Sequence, residues 1–165
     1  MEEIIALWEK NAAKNQERNF SFIRSLKFKS ESKVDRLARE MHEEAFEKID
    51  CLKCGNCCKV SKPLLSKADI SRIAKHLNEP PRTIREKYLM QNEDGDWTIN
   101  ASPCPFLGEA NECQIYSARP TNCKGFPYTH KSGFASRSYQ HAANTIVCPA
   151  AYYVVERMKD IFRYR

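Results

Sequence analysis

Four cysteines fall within eight residues, Cys51-Leu-Lys-Cys54-Gly-Asn-Cys57-Cys58, and four more follow singly at Cys104, Cys113, Cys123 and Cys148. This spacing constrains the chain more than any other feature. A Cys-x2-Cys step lets two thiolates converge while the backbone between them turns around an ion. Gly55, directly after Cys54, relaxes the dihedral restriction where that turn is tightest. The same turn aims successive N–H groups inward, where they can bond sulphur. Cysteine is also among the most readily buried residues, so one or two positions could be plain core thiols. For the whole set that account fails.

The adjacent pair Cys57-Cys58 is informative in itself. Neighbouring side chains diverge, and holding both on one tetrahedral ion would strain the backbone. Three arrangements stay open: two neighbouring sites, a polynuclear cluster with one ligand per iron, or one thiol that ligates nothing. The run opens like a bacterial ferredoxin segment, but Cys58-Lys59-Val60 stands where that pattern needs a spacer, a last cysteine and a proline.

Compartment bears on the same cysteines. No apolar stretch approaches the roughly 18 residues that span a bilayer, and Met-Glu-Glu-Ile-Ile-Ala-Leu-Trp lacks the basic start of a secretory leader. The expectation is a cytoplasmic chain with no membrane partner. Disulfides are rare in that setting, and metal–thiolate bonds explain the cysteines instead. The formal charge of +6 is concentrated late: Gln114–Arg165 holds eight Lys/Arg against two Asp/Glu. These basic residues form no tight run, which argues against nucleic acid and for a solvated face. An unidentified protein partner stays open.

With 42% apolar and 29% charged residues, the composition is that of a globular domain. Glu2–Ala13 reads as a short helix, and Asn15–Ser30 has no clear period. Ser32–Ile49 is the strongest helix, its Val34, Leu37, Ala38, Met41, Ala45, Phe46 and Ile49 recurring on one face. Ser66-Lys-Ala-Asp69 caps a helix carrying Ile70, Ile73, Ala74 and Leu77, and Pro81 opens the next over Arg82–Leu89. Glu93–Asp96 is a turn between Tyr88–Gln91 and the strand Trp97–Ile99. Prolines and cysteines leave little regular structure from 101 to 129, and Ala150–Phe162 is a closing helix.

The predicted fold class is mainly α with a small β hairpin, an irregular, metal-stabilised single domain over 1–165. Its cysteine-cluster core (51–148) is flanked by N-terminal helices (1–50) and a C-terminal helix (149–165). Metal binding can supply folding free energy where long apolar runs are missing.

Among other candidates, Arg119 could offset thiolate charge through a planar fork of donors. A salt bridge or carbonyl clamp is its plainer role. His42 and His76 read as exposed, whereas His130 and His141 lie between the last two cysteines, within reach of a metal. Lys131–Tyr139 reads as an exposed, mobile loop. Phe106, Leu107, Ile115, Phe126 and Tyr128 are candidates for an apolar shell around sulphur. No motif assigns a catalytic residue.

Cys51-x2-Cys-Gly-x-Cys-Cys, Cys104-Pro-Phe-Leu, Cys113-x-Ile-Tyr-x2-Arg-Pro-x2-Cys123 and Gly125-Phe-Pro127 together resemble the zinc- or iron-chelating domain family with a CxxCxxCC cluster. The resemblance implies metal chelation, with Cys51, Cys54, Cys57, Cys58, Cys104, Cys113, Cys123 and Cys148 as ligands and Arg119 and Tyr116 supporting them. The expected function is a cysteine-ligated metal-binding protein. An iron–sulphur cluster is favoured over zinc, in redox or metal handling. The alternative is a zinc-stapled protein-interaction module.

Overall fold

The computed structural model describes residues 1–164. In chain order it runs α1 (Glu2–Asn11), α2 (Gln16–Ser25), α3 (Glu31–Lys48), α4 (Cys51–Cys54), α5 (Asn56–Val60), β1 (Leu64–Leu65), α6 (Lys67–Leu77), α7 (Pro81–Tyr88), β2 (Leu89–Gln91), β3 (Trp97–Ile99), α8 (Thr121–Gly125), α9 (Ser138–Val147) and α10 (Pro149–Ile161). Single 3-10 turns lie at Leu26–Phe28, Tyr116–Ala118 and Ala135–Arg137. The fold is thus mainly helical with one small antiparallel sheet. No described helix is long and apolar enough to cross a membrane. The chain divides into two compact units, one built from Met1–Cys51 with Pro127–Arg165, the other from Leu52–Phe126.

In the first unit α3 lies along α10 and α2 along α9. The stripe on α3 does what its period requires: Val34, Ala38, Ala45 and Ile49 are buried, and Leu37, Met41 and Phe46 are half-buried. They meet a core containing Phe22, Ile23, Val154, Val155 and Met158. A polar network also runs through this unit. The Trp8 indole donates to the Thr145 carbonyl at 2.8 Å, and Asn19 Nδ2 to Thr145 Oγ1 at 3.1 Å. The buried Lys159 ammonium donates to Asn19 and to Glu156. A buried cation is tolerable only with such partners.

Three expectations change here. Asn15–Ser30, which lacked a readable period, forms α2 and a 3-10 turn. The predicted loop Lys131–Tyr139 is anchored: the Asp35 carboxylate accepts from the Gly133 N–H at 2.8 Å and the Phe134 N–H at 2.9 Å, and Phe134 is fully buried. His42 is half-buried rather than exposed, with Nδ1 2.8 Å from Thr129 Oγ1 and its ring 4.7 Å from that of His130. Burial, then the neighbouring His130, lowers its pKa to about 4.

His141 on α9 is wholly enclosed, stacked on Phe134 at 4.2 Å, and neither ring nitrogen has a hydrogen-bond partner. Burial, then the charge of Arg137, lowers its pKa to about 4. Between the ordinary histidine value near 6.5 and about 4, the unfolded chain therefore binds a proton that the folded chain refuses. Stability must fall as pH drops through that window. Replacing His141 with Phe removes the term. The stability gap between variant and parent should widen by about 2–3 kcal/mol from pH 7.5 to pH 4.5. Denaturant unfolding of both proteins without metal measures it, and a pH-independent gap would contradict it.

The second unit is organised by α6 and the sheet. Ser66 and Asp69 close the capping box at the start of α6, and Asn78, left-handed at φ 53°, ends the helix. Pro81 occupies the first position of α7. The expected hairpin is present, with Leu89 opposite Ile99 and Gln91 opposite Trp97. Its turn is held by Asn92 Oδ1, which accepts from the N–H groups of Asp94 and Asp96 at 3.1 and 2.8 Å. The short strand β1 joins the other side of β3 to give the order β1-β3-β2. Ile70, Ile73, Ile84, Ile99, Phe106 and Ile115 form the core beneath, and Cys104 and Cys113 pack against it half-buried.

Candidate metal centre

Six of the predicted ligands, Cys54, Cys57, Cys58, Cys104, Cys113 and Cys123, lie in the second unit. Cys54 closes α4, and Gly55 breaks the chain with φ +58° before α5 carries Cys57 and Cys58. Only glycine suits this place. A Cβ there would stand 2.8 Å from Asn111 Cβ and 3.1 Å from the Asn111 carbonyl oxygen. Cys58 N–H and Lys59 N–H both return to the Gly55 carbonyl, at 3.0 and 3.2 Å, winding the double cysteine into a tight turn.

The distal cysteines are brought to this knuckle by the backbone. The Cys104 N–H donates to the Cys58 carbonyl at 2.8 Å, and Ser102 Oγ donates to the Lys59 carbonyl at 2.8 Å. From there a bridge between Leu107 and Cys113 turns the chain back, reinforced by Gln114 N–H to the Phe106 carbonyl at 2.9 Å. Cys123 sits within α8.

Four sulphurs from four separate segments feel one another. Burial, followed by charge on Cys58, Cys104 and Cys113, pushes the Cys123 thiol up to about 12. Cys104 is pushed to about 11 by burial, with Cys58 and Cys113 adding to it. Cys113 is raised by burial and Cys58, and Cys58 is raised most by its hydrogen bond with Cys57 and then by burial. Two influences oppose this. The Phe106 N–H bonds Cys104, and the Ile115 N–H bonds Cys113 in the same way, each amide two residues beyond its sulphur. The second influence is Arg119, whose charge lowers Cys58, Cys113 and Cys123 alike.

Arg119 rests with Cζ 3.8 Å over the Tyr116 ring, and its buried Nε has no hydrogen-bond partner. Thiols that resist ionising together are the groups a cation relieves, since ligation needs the thiolate form. The donor chemistry therefore fits a soft ion. Among the described residues no group of three or more Cys, His, Asp or Glu is gathered closely enough to hold an ion as it stands. The thiols share a field, without a finished coordination polyhedron.

The other candidates are placed elsewhere. Cys51 is exposed at the start of α4, and Cys148 is buried between α9 and α10, both within the first unit. His130 and His141 also belong to that unit, packed with His42 and Phe134 respectively. Of the proposed apolar shell, Phe106 and Ile115 lie in the core against Cys104 and Cys113, whereas Tyr128 belongs to the first unit.

Residues 50–149 match the model of the CxxCxxCC family, described as "Putative zinc- or iron-chelating domain". The chain belongs to this family. No curated protein and no solved structure matches the chain. The chelating-domain stretch takes in all of the second unit and, from the first, Asp50, Cys51 and residues 127–149.

Within the chelating domain, Arg119→Lys keeps the positive charge but loses the planar face that lies on Tyr116. Metal affinity should drop about 10–100-fold, the usual cost of losing a residue that orients ligands. Competition against a chelator measures the drop, and an unchanged midpoint would remove Arg119 from the site. Two residues of the chelating domain escaped the sequence reading: Asp69 and Arg72. Asp69 was read only as half of a helix cap. The signal for more was a basic residue three positions on, on the same helix face.

Proposed function

We propose that this chelating domain holds an iron–sulphur cluster through cysteine thiolates and works in electron transfer or metal handling in the reducing cytoplasm. The observation that carries the reading is the electrostatic coupling of Cys58, Cys104, Cys113 and Cys123, three of which, Cys58, Cys113 and Cys123, also feel the charge of Arg119. Cys51, Cys54, Cys57 and Cys148 are proposed as further ligands. When bound, the cluster would supply one-electron chemistry. The chain's own contribution is to gather the thiolates, donate the Phe106 and Ile115 amides to sulphur, and set Arg119 against the accumulated negative charge. Tyr116 holds the guanidinium from one face.

Zinc is the second reading, and a specific observation favours it: four coupled thiols match the four-coordinate demand of a structural zinc site. In that case the ion fixes the fold and a protein partner is the functional target. Anaerobic purification with assay of iron, zinc and acid-labile sulphide separates the two. Iron with equivalent sulphide and a broad visible absorption supports the cluster. Zinc without sulphide supports the interaction module. A chain that retains neither metal rejects both.

A further inference from the structure

We infer that Asp69 and Arg72 are positioning residues of the metal centre, a clamp that fixes the segment carrying Arg119 and Cys123. The inference rests on the reading of the coupled thiols as ligands.

A capping box needs only one carboxylate oxygen. Here Asp69 Oδ2 does that work, accepting from the Ser66 N–H at 3.0 Å and the Ser66 hydroxyl at 2.7 Å. Its other oxygen is surplus to capping, yet it does not face water, because Asp69 is 2% exposed. Oδ1 instead accepts from the Thr121 N–H at 3.0 Å and the Thr121 hydroxyl at 2.8 Å, and from Arg72. Burial alone would raise this carboxyl. The bonds from Ser66, Arg72 and Thr121 outweigh it and hold the group well below the usual carboxylate range. It is therefore a permanent anion.

Arg72 completes the hold. Its Nε donates to the Ala118 carbonyl at 3.3 Å and its Nη2 to the Arg119 carbonyl at 2.9 Å. Pro120 has no N–H to donate, so the donor and the two acceptors held here come from its neighbours. The clamp takes them: the carbonyls of 118 and 119 and the N–H of 121. Arg119 is thereby set at a fixed height above Tyr116, and Thr121 starts the helix that bears Cys123.

The test uses the full chain, loaded with cobalt(II) as a spectroscopic stand-in for the native metal, and three variants. Arg72→Lys keeps the ion pair with Asp69 but cannot reach two carbonyls from one planar head. Asp69→Asn removes the anion. Ser66→Ala removes the cap bond while leaving the loop contacts, and so reports what weakening α6 alone does. Chelator competition should show cobalt held about 10–100-fold more weakly by Arg72→Lys and Asp69→Asn, with altered ligand-field bands. Ser66→Ala should lower the unfolding midpoint but keep the parent's affinity and spectrum. Parent-like affinity in Arg72→Lys, or an equal loss in Ser66→Ala, overturns the clamp while the metal reading stands. A parent chain that takes up no cobalt overturns the metal reading and the clamp with it.

Discussion

Cys123→Ser should strip the centre of most of its metal, leaving well below half the parent's content per chain after gel filtration. Cys123 is coupled to three other thiols, Cys58, Cys104 and Cys113, and to Arg119. A serine hydroxyl is a poor ligand for soft ions. The unit should still fold, because the core of Ile70, Ile73, Ile84, Ile99, Phe106 and Ile115 does not include this position. Circular dichroism of the variant checks that point. Full metal content in Cys123→Ser would reject the convergence of the distal cysteines on the knuckle.

The second large effect is expected on metal withdrawal. Among the described residues, regular structure between β3 and α8 is limited to turns, one isolated bridge and a single 3-10 turn, so local opening there should depend on the bound ion. A ligand present at about 100 times its dissociation constant stabilises the bound state by about 2.7 kcal/mol. Removing it should make local opening, and cleavage of the opened chain, about a hundredfold more frequent. Chymotrypsin cuts mapped by mass spectrometry should then concentrate at Phe106, Leu107 and Tyr116 in the stripped protein. Cleavage on α3 and α10 should change little, since both helices sit in a well-filled helical core. Equal protection of both forms would deny the metal a structural role.

The sequence was legible where one local rule decides the outcome. The stripe from Val34 to Ile49 repeats long enough to define a face, and α3 follows it to within a residue at each end. Ser66 with Asp69, Pro81 and the Glu93–Asp96 turn are short-range chemistry. What could not be read depends on distant partners. β1 is two residues long, too short to show alternation. α9 buries Ser138, His141, Ala142 and Thr145, small or polar residues that no apolar period marks. At the candidate site the cysteines announced themselves, and Gly55 adopts the conformation its position implied. Which thiols share a field is set by the Cys58–Cys104 backbone bond and the bridge at Leu107. Neither leaves a trace in spacing. The spare oxygen of Asp69 is hidden for the same reason, because its partner lies 52 positions away.

The interruption of the helical unit by residues 52–126 sets an order of events during synthesis. When α1, α2 and α3 leave the ribosome, the groups that Trp8, Asn19 and α3 require, on α9 and α10, have not yet been made. The inserted segment is fully synthesised by Phe126 and can close first while the earlier helices wait. Closing the outer unit then joins contacts more than a hundred residues apart, such as Trp8 with Thr145. Long-range closure of that kind is slow. A nascent chain stalled with residue 126 just clear of the exit tunnel should therefore be chaperone-bound, its amino-terminal helices still exposing the surface that the last forty residues are needed to cover.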